Sequence, residues 1–287
     1  MSVTGLLVYK RDHAKINAGF IQMLIQEAGQ VGMTLQLVFE EELQYGIKNT
    51  KSFLAHPTVD FSAVDFVIIR AIHPLLSKQF ESCGIRCFNS SYVSEICNDK
   101  AKTHQFVSGL GIPSLDTYFT AYNSYREVEG FPLVLKQVDG HGGKDVHLVT
   151  SNEEVMAKLA AMPSKRFILQ EFSDNPGKDV RVFVLGNEVI GAVLRESSVS
   201  FKANYTLGGH VSPYCLNHDE VEMVKSISSA LKADFIGVDF LVNQQNELIF
   251  NEVEDVVGCR SLYATSDVNA AKLYIEYIDT IMKKRQQ

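Results

Sequence analysis

The sequence predicts a small α/β lobe followed by an α+β body built on antiparallel sheet, and three observations carry that prediction. Short apolar runs alternate with helical patterns over the first third of the chain. Strand-like runs paired around polar turns dominate the rest. A helical pattern at residues 267–284 closes the molecule.

Taken in order, residues 6–9 read as a strand, and Ile16, Phe20, Met23, Leu24 and Ile25 recur at helical spacing in a segment running to residue 31. Strands are expected at 35–39, 66–69 and 85–88, with a helix at 74–83. This βαβ alternation predicts a mostly parallel sheet with helices packed on it. Residues 90–109 read as one helix, ended by Gly111-Ile112-Pro113. Strands follow at 116–120, 133–138, 146–149 and 167–172, and Ser151-Asn152-Glu153-Glu154 opens a helix to Met162 with a capping-box pattern. Gly186-Asn187 signals a hairpin between apolar runs at 180–185 and 189–195. Asn217 with Glu220 caps a helix at 218–232, and runs at 235–242 and 247–254 form a second hairpin. Loop-rich points near 95 and at 173–178 divide the chain into lobes at 1–95, 96–172 and 173–287.

With 287 residues, 46% of them hydrophobic, the chain can build more than one core. A formal net charge of -7 argues against a nucleic-acid binder, so an anionic ligand must be met by locally placed lysines and arginines. The five cysteines are odd in number and include no C-x-x-C pair, which points away from disulfides and zinc and towards a reducing cytoplasm. Cys259 reads as a small filler, with no base identifiable beside it. No basic segment precedes the apolar run at 5–9, and no apolar stretch reaches the roughly 20 residues that span a bilayer. A soluble protein without membrane partners is expected, and a homo-oligomer is compatible.

Chemistry concentrates in the last hairpin. Alternation along a strand points Glu252 and Glu254 the same way, and a turn centred near residue 245 sets Asp239 opposite Glu252 to within about a residue of register. Opposed like charges destabilise a sheet. A hard divalent cation removes that penalty, and Mg²⁺ favours a few carboxylates plus substrate phosphates. The alternative, a solvated acidic edge, sits poorly with the apolar flanks Phe235, Ile236, Leu248, Ile249 and Phe250. Lys136 lies inside the apolar run 132–138, where a charge is costly without a partner. Gly140, Gly142 and Gly143 follow in a loop whose backbone amides can approach an anion, though the loop alone is equally a hairpin turn. Asn98-Asp99-Lys100, by itself a surface triplet, supplies a second lysine.

The ordered set Asn98-Asp99-Lys100, Gly111-Ile112-Pro113, 132–136 with its glycine loop, Leu169-Gln170-Glu171-Phe172, Gly177-Lys178-Asp179-Val180-Arg181, Gly208-Gly209, Gly237-Val238-Asp239-Phe240 and Asn251-Glu252-Val253-Glu254 resembles the ATP-grasp superfamily, RimK type, over roughly residues 85–275. The resemblance implies an N-terminal α/β lobe followed by two ATP-grasp lobes with ATP between them. It also implies roles. Lys100, Lys136 and the loop Gly140, Gly142, Gly143 and Lys144 would meet ATP phosphates. Gln170, Glu171, Phe172 and Ser173 would form the adenine hinge, and Asp179 would meet the ribose. Arg195 would face the transferring phosphate, Lys202 and Asn204 would lie near the phosphates, and Asp239, Glu252 and Glu254 would hold Mg²⁺, with Mn²⁺ as substitute. Arg181 matches a motif arginine and equally reads as a structural residue.

Glu254 stands where the family usually has Asn, and Val257-Gly258 where it has Pro-Gly. Gly258 still offers an amide to a developing oxyanion. Arg70 and Arg260 are open candidates for substrate carboxylates. The implied activity is ATP-dependent joining of a small-molecule or peptide carboxylate to an amine through an acyl-phosphate, adding an amino acid such as glutamate. The alternatives are a peptide-crosslinking enzyme of the same superfamily and a non-catalytic ATP-binding protein.

Overall fold

The structure is a computed structural model that describes residues 3–143, 145–197, 200–201 and 209–285. Strand β1 (Thr4–Tyr9) leads into α1 (Arg11–Ile16) and α2 (Ala18–Gln30), two helices where the periodicity predicts one. The break is at Asn17, whose side chain donates back to the His13 carbonyl at 2.8 Å. Next come β2 (Thr34–Phe39) and an unanticipated hairpin, β3 (Gln44–Lys48) and β4 (Lys51–Ala55). Its turn, Asn49-Thr50, adopts φ of 49° and 63° without glycine, so the usual hairpin signal is missing. β5 (Phe66–Ile69), α3 (Pro74–Ser82) and β6 (Arg86–Phe88) complete a parallel sheet of order β2-β1-β5-β6.

Residues 91–108 form two helices rather than one, α4 (Ser91–Cys97) and α5 (Lys100–Ser108). The Asp99 carboxylate accepts from the Lys102 amide at 3.0 Å and starts the second helix afresh. β7 (Thr117–Ala121), β8 (Leu133–Gln137), β9 (Val146–Val149), α6 (Asn152–Ala161) and β10 (Arg166–Glu171) follow, with the sheet ordered β7-β10-β8-β9. The third sheet has order β13-β12-β11-β14-β15. Its strands are β11 (Lys178–Leu185), β12 (Glu188–Glu196), β13 (His210–Pro213), β14 (Phe235–Val242) and β15 (Leu248–Glu254). Helix α7 (His218–Leu231) begins with the expected reciprocal Asn217–Glu220 capping box. The short α8 (Arg260–Thr265), not anticipated, precedes α9 (Ala270–Arg285).

Packing joins the ends of the chain. Leu7, Leu24 and Phe66 of the parallel sheet and its helix share one core with Phe235, Tyr274 and Ile278. Helices α4 and α5 pack through Val93 and Val107 on the third sheet, lying on either side of the expected division at 95. The middle sheet keeps a separate core around Leu135, Leu159, Phe167 and Leu169. Among the described residues no helix is long and apolar enough to cross a membrane, and the cysteines are all free.

Asn89 is the polar clasp between the first and third sheets. It is buried, donates through Nδ2 to the carbonyls of Phe235 at 2.7 Å and Asp255 at 3.1 Å, and accepts at Oδ1 from the amides of Asp234 and Phe235. These bonds satisfy backbone groups that water does not reach, so Asn89→Ala strands both donors and acceptors. The expected result is a loss of about 3 kcal/mol or more in urea denaturation. A loss under about 1 kcal/mol would show that the clasp carries little stability.

Candidate active site

The third sheet places its charged side chains by register. Arg181 pairs with Asp239, Asp239 with Glu252, Gly237 with Glu254, and Asp179 with Arg195. Residues directly opposed across strands point to the same face, so Arg181, Asp239 and Glu252 form one row and Arg195 and Asp179 part of the next. The expected Asp239–Glu252 pairing is therefore observed. Just beyond it the β14–β15 register shifts, so that Phe240 pairs with Phe250 and Asn251 becomes the extra residue of a bulge. Gly237 leaves room for Val257 to pack on the sheet beside Arg181: a Cβ there would stand 2.5 Å from Val257 Cγ2.

Arg181 is the centre of this row. Its Nε and Nη2 each donate to one oxygen of Asp239 at 2.7 Å, and Nη2 also reaches Glu254 Oε1 at 2.6 Å. Arg195 donates through Nη2 to Asp239 Oδ2 at 2.8 Å and through Nε to Asp179. Burial works against ionisation of Asp239, but Arg181 and Arg195 outweigh it and hold the carboxyl below its ordinary range. Burial pushes Glu254 up, with Arg181 opposing and the charges of Asp239 and Glu252 adding to the rise.

Across the cleft, the middle sheet and α5 supply lysines. Lys136 Nζ donates to Gln170 Oε1 at 2.7 Å and to Asn251 Oδ1 at 2.8 Å, so the bulge turns Asn251 onto the lysine. Burial, with Lys100 adding and Glu252 opposing, lowers the Lys136 ammonium to about 8. Lys100 Nζ donates to the Gly140 carbonyl at 2.6 Å and lies 3.6 Å from Glu252 Oε2. Four carboxylates (Asp179, Asp239, Glu252, Glu254) thus face four cations (Arg181, Arg195, Lys100, Lys136). His104, one helical turn beyond Lys100, is buried edge-on to Phe250 with ring centroids 5.4 Å apart. Burial first, then Lys136 and Lys100, lowers His104 to about 4, so it is neutral near pH 7.

The three carboxylates bring oxygens within 4.8 Å of one another. An all-oxygen, anionic donor set fits a hard divalent cation such as Mg²⁺ or Mn²⁺. Glu252 and Glu254 are half-buried, and Asp239 Oδ1 accepts only one of the arginine bonds, which leaves it acceptor capacity.

Other expected residues fall out differently. The Asp179 carboxylate is buried on Arg195 and committed to it rather than presented to a ribose, because Asp179 and Arg195 are directly opposed in the ladder. Arg195 is itself only 3% exposed and is bonded to both Asp179 and Asp239, so it braces Asp239 on the same face of the sheet. The Gln170 side chain is buried and orients Lys136, also donating to Thr117 Oγ1 at 3.1 Å, which leaves only its backbone for a hinge. Glu171 is exposed, Phe172 packs edge-on to Phe201, and Ser173 Oγ accepts from the Asn175 amide. Gly142 and Gly143 take φ of 67° and 72°, which favours glycine. Gly258 lies in the loop between β15 and α8, with nothing within 4 Å of its missing Cβ. Burial lifts Cys259 to about 11, as suits a filler. Lys144, Lys202 and Asn204 lie outside the described residues. His104 and Asn251 were not singled out. The i, i+4 spacing of Lys100 and His104 was an available signal, whereas strand alternation places Asn251 on the wrong face.

Arg181→Ala leaves Asp239 and Glu254 without their shared counter-charge, and an expected 3–5 kcal/mol of stability is lost. Millimolar Mg²⁺ alone should raise the melting midpoint of that variant more than that of wild type; equal shifts would count against a cation among these carboxylates. His104 sets an acid limit. Its folded value lies below the unfolded 6.5, so the unfolded chain binds the extra proton and stability falls as pH drops from 6.5 towards 4. His104→Leu should flatten that slope by up to about 3 kcal/mol, read as denaturation midpoints across the window.

Residues 97–278 match the model of the RimK-like ATP-grasp domain. The chain is 30% identical over 191 residues to the uncharacterized protein MG011 of Mycoplasma genitalium, a match spanning 66% of this chain and 65% of that protein. It is 27% identical over 256 residues to the glutamate–LysW ligase ArgX of Sulfolobus acidocaldarius, covering 83% of this chain and 89% of that one. Its fold matches the ATP-grasp ligase PsnB, solved with a precursor variant, Mg and ADP, at a TM-score of 0.70 and 14% identity over 98% of this chain and 99% of that chain. Ligases of this fold use ATP. The chain belongs to the RimK-like ATP-grasp family and is a carboxylate–amine ligase of that fold.

Proposed function

We propose that this ligase uses ATP with Mg²⁺, or Mn²⁺ in its place, to activate a carboxylate as an acyl-phosphate and joins it to the amine of an amino acid such as glutamate. The observation that carries this reading is the meeting of the third sheet with lysines from the middle sheet and α5, with Lys136 on Asn251 and Lys100 beside Glu252. On this reading the nucleotide lies between the lobes 96–172 and 173–287.

Each residue has a physical task. Asp239, Glu252 and Glu254 hold the cation, which when bound neutralises phosphate oxygens during phosphoryl transfer. Arg181 and Arg195 keep Asp239 ionised and fixed. Lys136, steered by Gln170 and Asn251, and Lys100, tethered to Gly140, place ammonium groups at the phosphates. The loop through Gly140, Gly142 and Gly143 presents backbone amides, and Lys144, Lys202 and Asn204 complete the phosphate contacts. Glu171, Phe172 and Ser173 with the Gln170 backbone receive adenine. The Gly258 amide faces the oxyanion formed when the amine attacks the acyl carbon. Positioning supplies most of the rate, so no dedicated base is required. The acceptor is a carboxylate of a peptide, protein or small molecule.

The test is ADP release from the full chain, screened across amino acids and amino-acid-terminated peptides, with products read by mass. Release should depend on both a carboxylate and an amine, and the product should gain one residue. Glu252→Gln should lower turnover by about 100-fold or more. Wild-type turnover in that variant at limiting Mg²⁺ would remove the metal assignment.

A further inference from the structure

Arg181, Arg195 and Lys100 of the cleft each lie against a carboxylate, and Lys136 is held by two amide oxygens, but another buried cation has less. Arg70 follows the last residue of β5 and is 6% exposed. No carboxylate forms an ion pair with it among the described residues. Asp255 feels its charge, yet no bond joins them. A guanidinium carries five N–H donors. One, on Nη2, donates to the Val257 carbonyl at 2.7 Å, and the plane lies over Phe20, 5.4 Å from the ring centroid. Nε is buried without a hydrogen-bond partner. Tyr9 ends β1 as a neighbour of this guanidinium, and its buried hydroxyl interacts with the guanidinium and makes no further hydrogen bond. A buried guanidinium held by one carbonyl and one phenol, with no carboxylate to balance its charge, is costly, and natural structures seldom carry one without a ligand.

Their position in the fold is informative. β1 lies between β2 and β5, and the chain leaves it first to one side and then to the other. Tyr9 and Arg70 therefore stand at the carboxyl ends of the two strands that flank the switch point of a parallel sheet, where such sheets bind ligands. The Arg70 amide donates to the Val8 carbonyl at 2.8 Å, which fixes the two ends together. The guanidinium holds the Val257 carbonyl, in the peptide unit that links Val257 to Gly258. Lys10, next along from Tyr9, adds positive charge felt at His141 in the glycine loop.

We propose that Arg70 and Tyr9 form a carboxylate-binding subsite that receives the α-carboxylate of the amino acid whose amine is joined, holding that amine at the Gly258 loop. This deepens the ligase reading and rests on it. The spacing suits an α-amino acid, whose amine and carboxylate share one carbon, so a carboxylate on Arg70 sets the amine beside the loop. It also selects against an amino-acid amide, which offers no anion to Arg70.

The test measures binding on the full chain with Mg²⁺ and a non-hydrolysable ATP analogue. The probes are the twenty L-amino acids and their α-amides, read by thermal shift and then titration calorimetry. At least one acid should bind about ten-fold or more tightly than its amide. Tyr9→Phe, which removes one hydroxyl, and Arg70→Lys, which keeps the charge, should each weaken the acid by about ten-fold and leave the amide unchanged. Tyr9→Phe guards against loss of fold in the arginine variant. Equal binding of acid and amide, wild-type acid affinity in both variants, or no amino-acid binding would overturn the subsite. The shift from the ATP analogue alone reports the ligase reading separately: its presence with any of those results leaves the ligase standing, and its absence removes both.

Discussion

A guanidinium lies across the middle of the five-stranded sheet and touches two carboxylates that would otherwise repel. Arg181 grips both oxygens of Asp239 and reaches Glu254, and Arg195 closes on Asp239 from the next strand. A carboxylate only 1% exposed is not tolerated inside a sheet without such partners. The acids of the cleft can sit where they do because β11 and β12 bring two arginines onto the same face in adjacent rows. The metal-competent face and the stability of this sheet are thus one arrangement. Glu254, standing where the family usually carries Asn, adds a charge to that arrangement, and Arg181 compensates it.

The same economy extends across the cleft. Lys136 belongs to a sheet with its own core, yet its ammonium is held by Asn251 of the third sheet. Burial makes that ammonium easier to deprotonate than an ordinary lysine, which marks a site where a phosphate would improve its environment. His104 stays neutral beneath it for the same reason, so no further positive charge crowds the two lysines. The first lobe joins this assembly through Asn89, which clasps the ends of β14 and β15, and through Arg70, which holds the loop bearing Gly258. Contacts from three sheets therefore converge on one stretch of chain, residues 251–258.

Much of the fold was legible because local signals and tertiary context agree. Apolar alternation placed β5, β9 and β14 at their observed bounds, and the Asn217–Glu220 box placed the start of α7. Errors fell where local chemistry competes with periodicity. Asp99 restarts a helix that apolar spacing alone runs through, and Asn17 does the same in the first lobe. The β3–β4 turn lacks glycine and so gave no signal.

The sequence by itself determined the acidic hairpin and, to within about a residue, the Asp239–Glu252 register, because strand alternation and turn length are local properties of the chain. It also determined the glycine loop and the lysine inside an apolar strand. What only the tertiary structure decided is which charges pair. Asp179 turned out to belong to Arg195, Gln170 to Lys136, and Asn251 to the opposite face from the one alternation assigns it. Those partners lie 16, 34 and 115 residues apart. Burial then selects among them, since a charge removed from water must be matched by whatever the fold brings within hydrogen-bond reach. Sequence spacing carries no record of that proximity.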